Sequence, residues 1–437
     1  MNHEPAPGLV AFVAALVLVS ALLPGCGGAT CERLAADRQA FLTRTATGGG
    51  PHLEVTVPYA VANALIAPAL TKIDALEVEL PGLGSLASAF GELAVRPRRV
   101  TLSPAKGDLV GLRLDFDVLV GRDEAFGLWL DTELRPAVDL AAGRAELGFS
   151  PESLKKVVPH LSPDAAERLG GIVYKRLPTL ARAIVSRAAV DQAAGSAVEF
   201  LLKQFYALAK DKLLRQLSDR ARLSIALPDV PIRTLSLGPT TEAGGGLRLA
   251  ITTSLPIGAA LGPREVRSQR LPADRVTLRA SAATLAELVN WAMARGLVPS
   301  RYNDKGQADD QGEYLAAVEW IAGERPMKAH LWQLEGSCMR LDMGANARVG
   351  AKDGKVSIAA EDGVIEDVDA APLTEVGVFF YALWKDAVNV TLDRSAELRF
   401  KVADQELVSR VEQATLTDDE LTLIVTLQPA DRAARIH

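Results

Sequence analysis

Between Val110 and Leu134 the chain repeats apolar side chains at a two-residue period, and only an extended backbone satisfies it. Val110, Leu112, Leu114, Phe116, Val118 and Val120 occupy every second place, with Gly111, Arg113, Asp115 and Asp117 between them and Leu119 the one exception. Phe126, Leu128, Leu130 and Leu134 then alternate with Gly127, Trp129, Asp131 and Glu133. Successive strand side chains point to opposite faces, so the pattern predicts two antiparallel strands with one dry face, joined through Gly121-Arg122-Asp123-Glu124. The dry face needs an apolar cover. Pro163 to Arg222 supplies one: it reads as helical, broken at Pro178 and Gly195, with Val198, Leu201, Leu202, Phe205, Leu208, Leu213 and Leu217 along one face of the last piece.

The order of elements repeats. Leu53 to Val57 alternates as a strand, and Pro58 opens a helical run through Val61, Leu65 and Ile66 to Leu70. Strands follow the long helical region at Leu223 to Leu227, Ile232 to Leu237 and Leu247 to Ile251. The chain then starts over. Val276 to Ala280 is a strand, and Leu285, Leu288, Val289 and Ala292 mark a short amphipathic helix. A hairpin turns at Asp353-Gly354, a second long helix carries Leu373, Val376, Phe380, Leu383 and Ala387, and strands at Leu398 to Val402 and Leu421 to Leu427 close the chain. This order predicts an α+β fold of two pseudo-repeated modules, each a curved antiparallel sheet wrapped on a long amphipathic helix. The 437 residues also exceed what one core usually serves. The expected organisation is a signal peptide over 1–25, an anchor and linker over 26–52, a first module over 53–240 and a second over 241–437.

Nearly half of the residues (49%) are hydrophobic but only 5% are aromatic, so the interior must be aliphatic. That content excludes a disordered chain. A net charge of −6 argues against nucleic acid, which is held by clustered Lys and Arg.

The N-terminus carries its own message. Leu9 to Leu23 is apolar except for Ser20, too short for a comfortable membrane span and the right length for the apolar region of an export signal. Leu23-Pro24-Gly25-Cys26 follows and resembles the lipobox of bacterial lipoproteins. The resemblance implies diacylation of the Cys26 sulfur, cleavage before Cys26, and a membrane anchor that two or more acyl chains make effectively permanent. Two features depart from the family: no Lys or Arg precedes the apolar run, and Pro24 stands where a small residue is usual. The alternative is an ordinary signal peptide cut near Gly28-Ala29, with Cys26 lost. Gly27, where inner-membrane lipoproteins of Gram-negative bacteria commonly have Asp, implies the outer membrane, facing the periplasm. Cys31 and Cys338 remain, and in an oxidising compartment they either pair or stay as two separate thiols.

Chemistry-bearing motifs are missing. No GxSxG, HExxH, CxxC or GxxxxGK[ST] occurs. His52, His160, His330 and His437 lack a second ligand at metal spacing and read as surface or loop residues. Asp304, Asp309, Asp310 and Glu313 read as a solvated acidic loop, and Gly82-Leu83-Gly84-Ser85 as a turn. Arg96-Pro97-Arg98-Arg99 reads as a solvated basic loop, with lipid headgroups the alternative partner. The expectation is a protein with no catalytic residue, no metal and no cofactor.

The strand-and-helix order over Leu53 to Leu70, Val110 to Leu134 and Val198 to Leu217, and its counterpart after Val276, resembles the tubular lipid-binding superfamily, which includes the bactericidal/permeability-increasing protein and SMP domains. The resemblance implies an aliphatic groove between sheet and helix that shields acyl chains, with Leu65, Leu114, Phe116, Leu201, Phe205, Leu288, Phe380 and Leu383 as its candidate lining. Lipid or another acylated molecule is then the expected ligand, and the membrane the partner through Cys26. A Leu/Val/Ala-rich, aromatic-poor lining is the environment lipid tails prefer. The alternatives are a periplasmic scaffold or assembly lipoprotein whose core is filled and whose outer faces bind proteins, and a hydrolase of unfamiliar type.

Overall fold

The computed structural model describes residues 26–45, 49–70, 75–78, 93–141, 144–148, 154–208, 223–226, 230–258, 260–262, 271–303, 307–336, 338–352, 354–370, 392–395, 399–402, 405–417 and 419–430. The fold is α+β, with three open sheets whose strand pairs are all antiparallel among the described residues.

The strands read from the two-residue period form a five-stranded sheet. β1 (Leu53–Pro58) and α1 (Cys26–Leu42) lie outside it; its members are β2 (Leu76–Val78), β3 (Leu93–Pro104), β4 (Val110–Val120), β5 (Asp123–Leu134) and β8 (Leu154–Leu161), in that order. Leu114 faces Leu130 and Phe116 faces Leu128 across β4 and β5. The register shifts between Val118 and Leu119 because β5 carries a bulge there, with Ala125 the extra residue between Phe126 and Glu124, and Leu119, the exception in the pattern, is half-buried opposite Glu124. The turn is confined to Gly121 and Arg122, with Gly121 at φ +60°, where a side chain would be strained. The dry face packs on α3 (Ala165–Arg176) and α5 (Arg187–Leu208), joined by α4 (Thr179–Ile184), through Leu169, Val173, Val190, Ala194, Val198 and Leu201. Pro178 breaks the helical region as expected. Gly195 does not: it lies inside α5, where a Cβ would meet nothing within 4 Å and the packing of Ala194, Ala197 and Val198 holds the helix.

A ten-stranded sheet takes strands from both halves. Its order is β10 (Ile232–Thr240), β11 (Gly246–Thr253), β1, β12 (Val276–Ser281), β21 (Glu420–Pro429), β20 (Gln405–Thr417), β19 (Arg399–Val402), β9 (Leu223–Ala226), β7 (Arg144–Gly148) and β6 (Ala137–Ala141). Its centre is palindromic. The hairpin β10–β11 flanks β1 as the hairpin β20–β21 flanks β12, and β1 and β12 pair antiparallel with Val55 opposite Leu278. Each central strand runs directly into a helix, β1 into α2 (Tyr59–Leu70) and β12 into α6 (Ala282–Ala294). The position between residues 240 and 241 falls inside the β10–β11 hairpin, so the strand pairing of the first repeat continues to Thr253.

The third sheet is a six-stranded meander: β13 (Arg301–Tyr302), β14 (Tyr314–Trp320), β15 (Met327–Gln333), β16 (Met339–Lys352), β17 (Lys355–Ala370) and β18 (Leu392–Ser395). The β16–β17 turn at Gly354 (φ +80°) bridges to Val411 of β20, which joins this sheet to the ten-stranded one. The basic run Arg96 to Arg99 is part of β3 rather than a loop. Arg96 and Arg98 reach Asp117 at 3.2 and 3.6 Å and Arg99 reaches Asp115 at 2.8 Å, because the acidic residues of β4 lie directly across. The long helix read over Leu373 to Ala387 and the segment 1–25 lie outside the described residues.

The ten-stranded sheet depends on one close approach. Gly246 pairs with Pro58, and a Cβ there would sit 2.5 Å from the Val57 carbonyl oxygen and 2.9 Å from the Pro58 Cα. Backbone on both sides cannot yield as a side chain does. Gly246→Ala is therefore expected to lower stability by about 1–3 kcal/mol in urea denaturation. Gly238→Ala, on the neighbouring strand with nothing within 4 Å, is expected to change it by no more than about 0.5 kcal/mol.

Candidate functional site

α6 opens with Ser281, whose Oγ accepts the Thr284 amide at 3.1 Å. Its side chains divide into three stripes. Leu288 and Trp291 pack with Leu255 and Ile257. Asn290 lies along the free edge of β14, donating from Nδ2 to the Val318 carbonyl (2.7 Å) and accepting the Val318 amide (2.8 Å), so the helix pairs with the sheet as a strand would. Ala282, Leu285, Ala286, Val289 and Met293 form the third stripe and roof a cavity of about 150 Å3.

The floor of the cavity is one face of the six-stranded sheet: Ala316 and Val318 of β14, Met327, Ala329 and Leu331 of β15, Met343, Ala347 and Val349 of β16, and Ile358 and Ala360 of β17, with Leu416 of β20 closing one side. Space exists because alanines face one another. Ala282 and Ala286 of the helix oppose Ala316, Ala329, Ala347 and Ala360 of the sheet, and methyl groups cannot span a helix-to-sheet separation that longer side chains fill. The walls offer little polarity. The Trp320 indole donates to Asp419 (3.2 Å), the Tyr302 hydroxyl donates to the Pro299 carbonyl (3.4 Å), and Glu319 engages groups on the opposite face of the sheet. A single water needs about 10–15 Å3, so the volume exceeds that of a packing defect, and apolar walls of this kind favour an apolar occupant over water.

The opposite face of the same sheet holds α1. Cys31 and Cys338 are joined in a disulfide with Cα atoms 5.2 Å apart, closing a sequence separation of 307 residues. Leu34 is fully buried beside Ala317 and Trp332, and Arg33 grips Asp369 through two bonds of 2.6 and 2.5 Å. Beyond the helix, Arg44 lies over the Phe41 ring (3.5 Å) and forms a close ion pair with the buried Glu287 of α6. His330 completes this junction. Its ring packs edge-on against Phe41, its Nδ1 meets Asp342 at 2.8 Å, and its Nε2 faces Glu319 at 3.6 Å. Burial raises the Glu287 carboxyl above its ordinary value, with Arg44 opposing. Burial likewise opposes charge on His330, but Asp342 and Glu319 together outweigh it and raise its pKa.

His52 differs. It is buried beside β11, where its Nδ1 accepts the Thr253 amide at 3.0 Å, which leaves the proton on Nε2 and burial to lower the pKa. Both histidines are thus interior residues held by hydrogen bonds, contrary to the surface reading, because their partners come from neighbouring strands, β11 for His52 and β16 for His330. His160 is more exposed, stacked on Trp129 and 3.1 Å from Asp131. Among the described residues no group of three or more His, Cys, Asp or Glu could hold a metal ion, and no helix is long and apolar enough to cross a membrane.

The residues singled out from periodicity fall elsewhere. Leu114, Phe116 and Leu201 meet in the core of the five-stranded sheet, and Leu65 is half-buried against the ten-stranded sheet. Leu288 is on the roofing helix but on the stripe facing Leu255. Phe380, Leu383 and the Phe205 side chain lie outside the described residues, Cys26 is the first residue of α1, and its side chain is likewise outside them. The cavity's own residues carried a signal: alanine at the small positions of a helical stripe, and the alternation Ala316, Val318, Trp320 against Met327, Ala329, Leu331.

No family model and no curated protein matches the chain. Among solved structures, it is similar to P47 from Clostridium botulinum A2, at 10% identity and a TM-score of 0.44 over 86% of this chain and 97% of that one. P47 of Clostridium botulinum E1 is similar at 11% identity and a TM-score of 0.44, over 86% and 98%. A lipopolysaccharide binding protein aligns at 12% identity and a TM-score of 0.26, over 87% and 100%.

The two buried histidines should titrate in opposite directions. His330 holds more protons folded than unfolded, so its contribution to stability is full below about pH 6.5 and is lost as pH rises through its raised value. His52 holds fewer, so its contribution is present above about pH 6.5 and is lost as pH falls through its lowered value. NMR titration of the imidazoles is expected to give midpoints on either side of 6.5, and the stability deficit of His330→Gln is expected to shrink as pH rises.

Proposed function

We propose that this chain is a membrane-anchored lipoprotein that binds one acyl chain, or a molecule of similar shape, between α6 and the six-stranded sheet. The observation that carries the reading is the cavity itself: about 150 Å3, walled by Ala, Val, Leu, Ile and Met with its few polar atoms engaged elsewhere. Binding is passive. Each methylene moved from water to such a wall gains about 0.8 kcal/mol before the costs of ordering the chain, and no covalent step, metal or nucleotide is needed. The protein shields or hands on its ligand and does not transform it.

The anchor fits the same picture. Cys26 heads α1, and five residues later Cys31 is bonded to the sheet that floors the cavity, so an acylated Cys26 would tether the binding half directly to its membrane. The disulfide supports an oxidising compartment. With Gly27 after the anchor cysteine, we place the protein at the periplasmic face of an outer membrane.

The chain from Gly27 onward, exported in a Gram-negative host and purified without detergent, is expected to carry an acylated molecule at near-integral ratio in native mass spectrometry. Val289→Trp, which fills the cavity, is expected to reduce that occupancy by about tenfold or more, with its circular dichroism unchanged. Wild-type protein that stays empty after mixing with liposomes would overturn the binding reading and leave the scaffold role. Labelled palmitate should enter the full chain, and Cys26→Ala should abolish its incorporation; an unlabelled wild type would remove the anchor.

A further inference from the structure

Six large apolar side chains stand exposed among the described residues, and two are unlike the rest. Leu42, Val158, Leu297 and Ile321 show 45–50% of their surface, whereas Leu180 shows 82% and Ile184 85%. Both are on α4, one helical turn apart and therefore on one stripe. The helix itself is moored. Leu177 before it, Ala181 within it and Val185 after it pack against the core of the five-stranded sheet. Leu180 and Ile184 are thus held outward by a rigid mount.

The segment that carries them is basic, and the acidic residues near it, Asp123 and Asp191, are each taken up by an arginine. Lys175, Arg176, Arg182 and Arg187 fall between residues 175 and 190 with no Asp or Glu, in a chain whose net charge is −6. Two of the four are engaged: Arg176 by Asp123 and the Val120 carbonyl, and Arg187 by Asp191. Arg182 donates to a backbone carbonyl, that of Leu177. Among the described residues no ion pair involves Lys175, Arg182 or Arg122, the last on the β4–β5 turn whose Gly121 abuts the Arg176 guanidinium.

A six-residue helix offers far less than the roughly 800 Å2 per partner of a stable protein interface. Two bare aliphatic side chains with long cationic stems beside them match a bilayer surface instead, where the apolar groups enter the acyl boundary and the cations reach upward to phosphate. We infer that α4 is a membrane-touching tip, with Leu180 and Ile184 entering an anionic phospholipid bilayer and Lys175, Arg182 and Arg122 meeting its headgroups. The contact is separate from the cavity and from Cys26.

The test uses the chain from Gly27 onward, without an acyl anchor, in sedimentation with vesicles of phosphatidylcholine alone or with about one-third phosphatidylglycerol. Binding is expected to the anionic vesicles, to weaken with added salt, and to fall about tenfold in Leu180→Ser/Ile184→Ser and in Lys175→Glu/Arg182→Glu. Ile184→Trp is expected to shift its emission to the blue on adding those vesicles. The cavity variant Val289→Trp is expected to bind vesicles as wild type does, which separates this contact from the acyl site. Equal binding to both vesicle types, or tip variants that bind like wild type, would overturn the inference. So would self-association of the wild type in ultracentrifugation that Leu180→Ser/Ile184→Ser abolishes, since the stripe would then be a protein interface.

Discussion

The antiparallel pairing of β1 with β12 is where the two repeats become one molecule. Both strands are interior to the ten-stranded sheet, and their two faces are chemically opposite. Val55, Val57 and Val276 lie on the aliphatic side with Leu423 and Val425. Glu54, Thr56, Thr277, Arg279 and Thr422 are buried on the other. The charges there are matched, Glu54 with Arg248 at 2.8 Å and Arg279 with Glu420 at 3.1 Å. Buried ion pairs add little stability, but a one-residue slip would drive Glu54 and Arg279 into the valine layer. The polar face therefore fixes the register that the apolar face alone would leave open.

Much of this frame was legible in the residues. The β4–β5 hairpin, the strand-to-helix passage at Pro58 and its echo at Val276 all follow from local periodicity, because each element carries its own apolar stripe. What escaped depends on partners that only the pairing of strands brings opposite. Arg96 to Arg99 looks like a loop until Asp115 and Asp117 stand across from it. His52 and His330 look superficial until Thr253 and Asp342 close over them. Gly195 looks like a break until α5 is seen to be held by packing on either side of it.

The cavity illustrates the same limit more sharply. Periodicity marks which residues face inward, and for Leu114, Phe116 and Leu201 inward means filled core. An alanine is a well-packed residue or one wall of a void according to what faces it. Ala286 acquires its meaning from Ala316 and Ala329, which the rest of α6, the short strand β13 and the loops beside it separate from it in sequence. The six-stranded sheet then uses its alternation twice, since Ala316, Ala329 and Leu331 look into the cavity while Ala317, His330 and Trp332 receive α1.

The Cys31–Cys338 bond also sets a path for force. A pull applied at the N-terminus enters α1, crosses the disulfide into β16 and continues toward the C-terminal strands. Residues 32 to 337 form a closed covalent ring hanging from that path. The five-stranded sheet, the helices beneath it, the central β1 strand and β13 to β15 of the six-stranded sheet all belong to the ring, so the covalent path of such a pull bypasses them and runs through β16 and the strands that follow it.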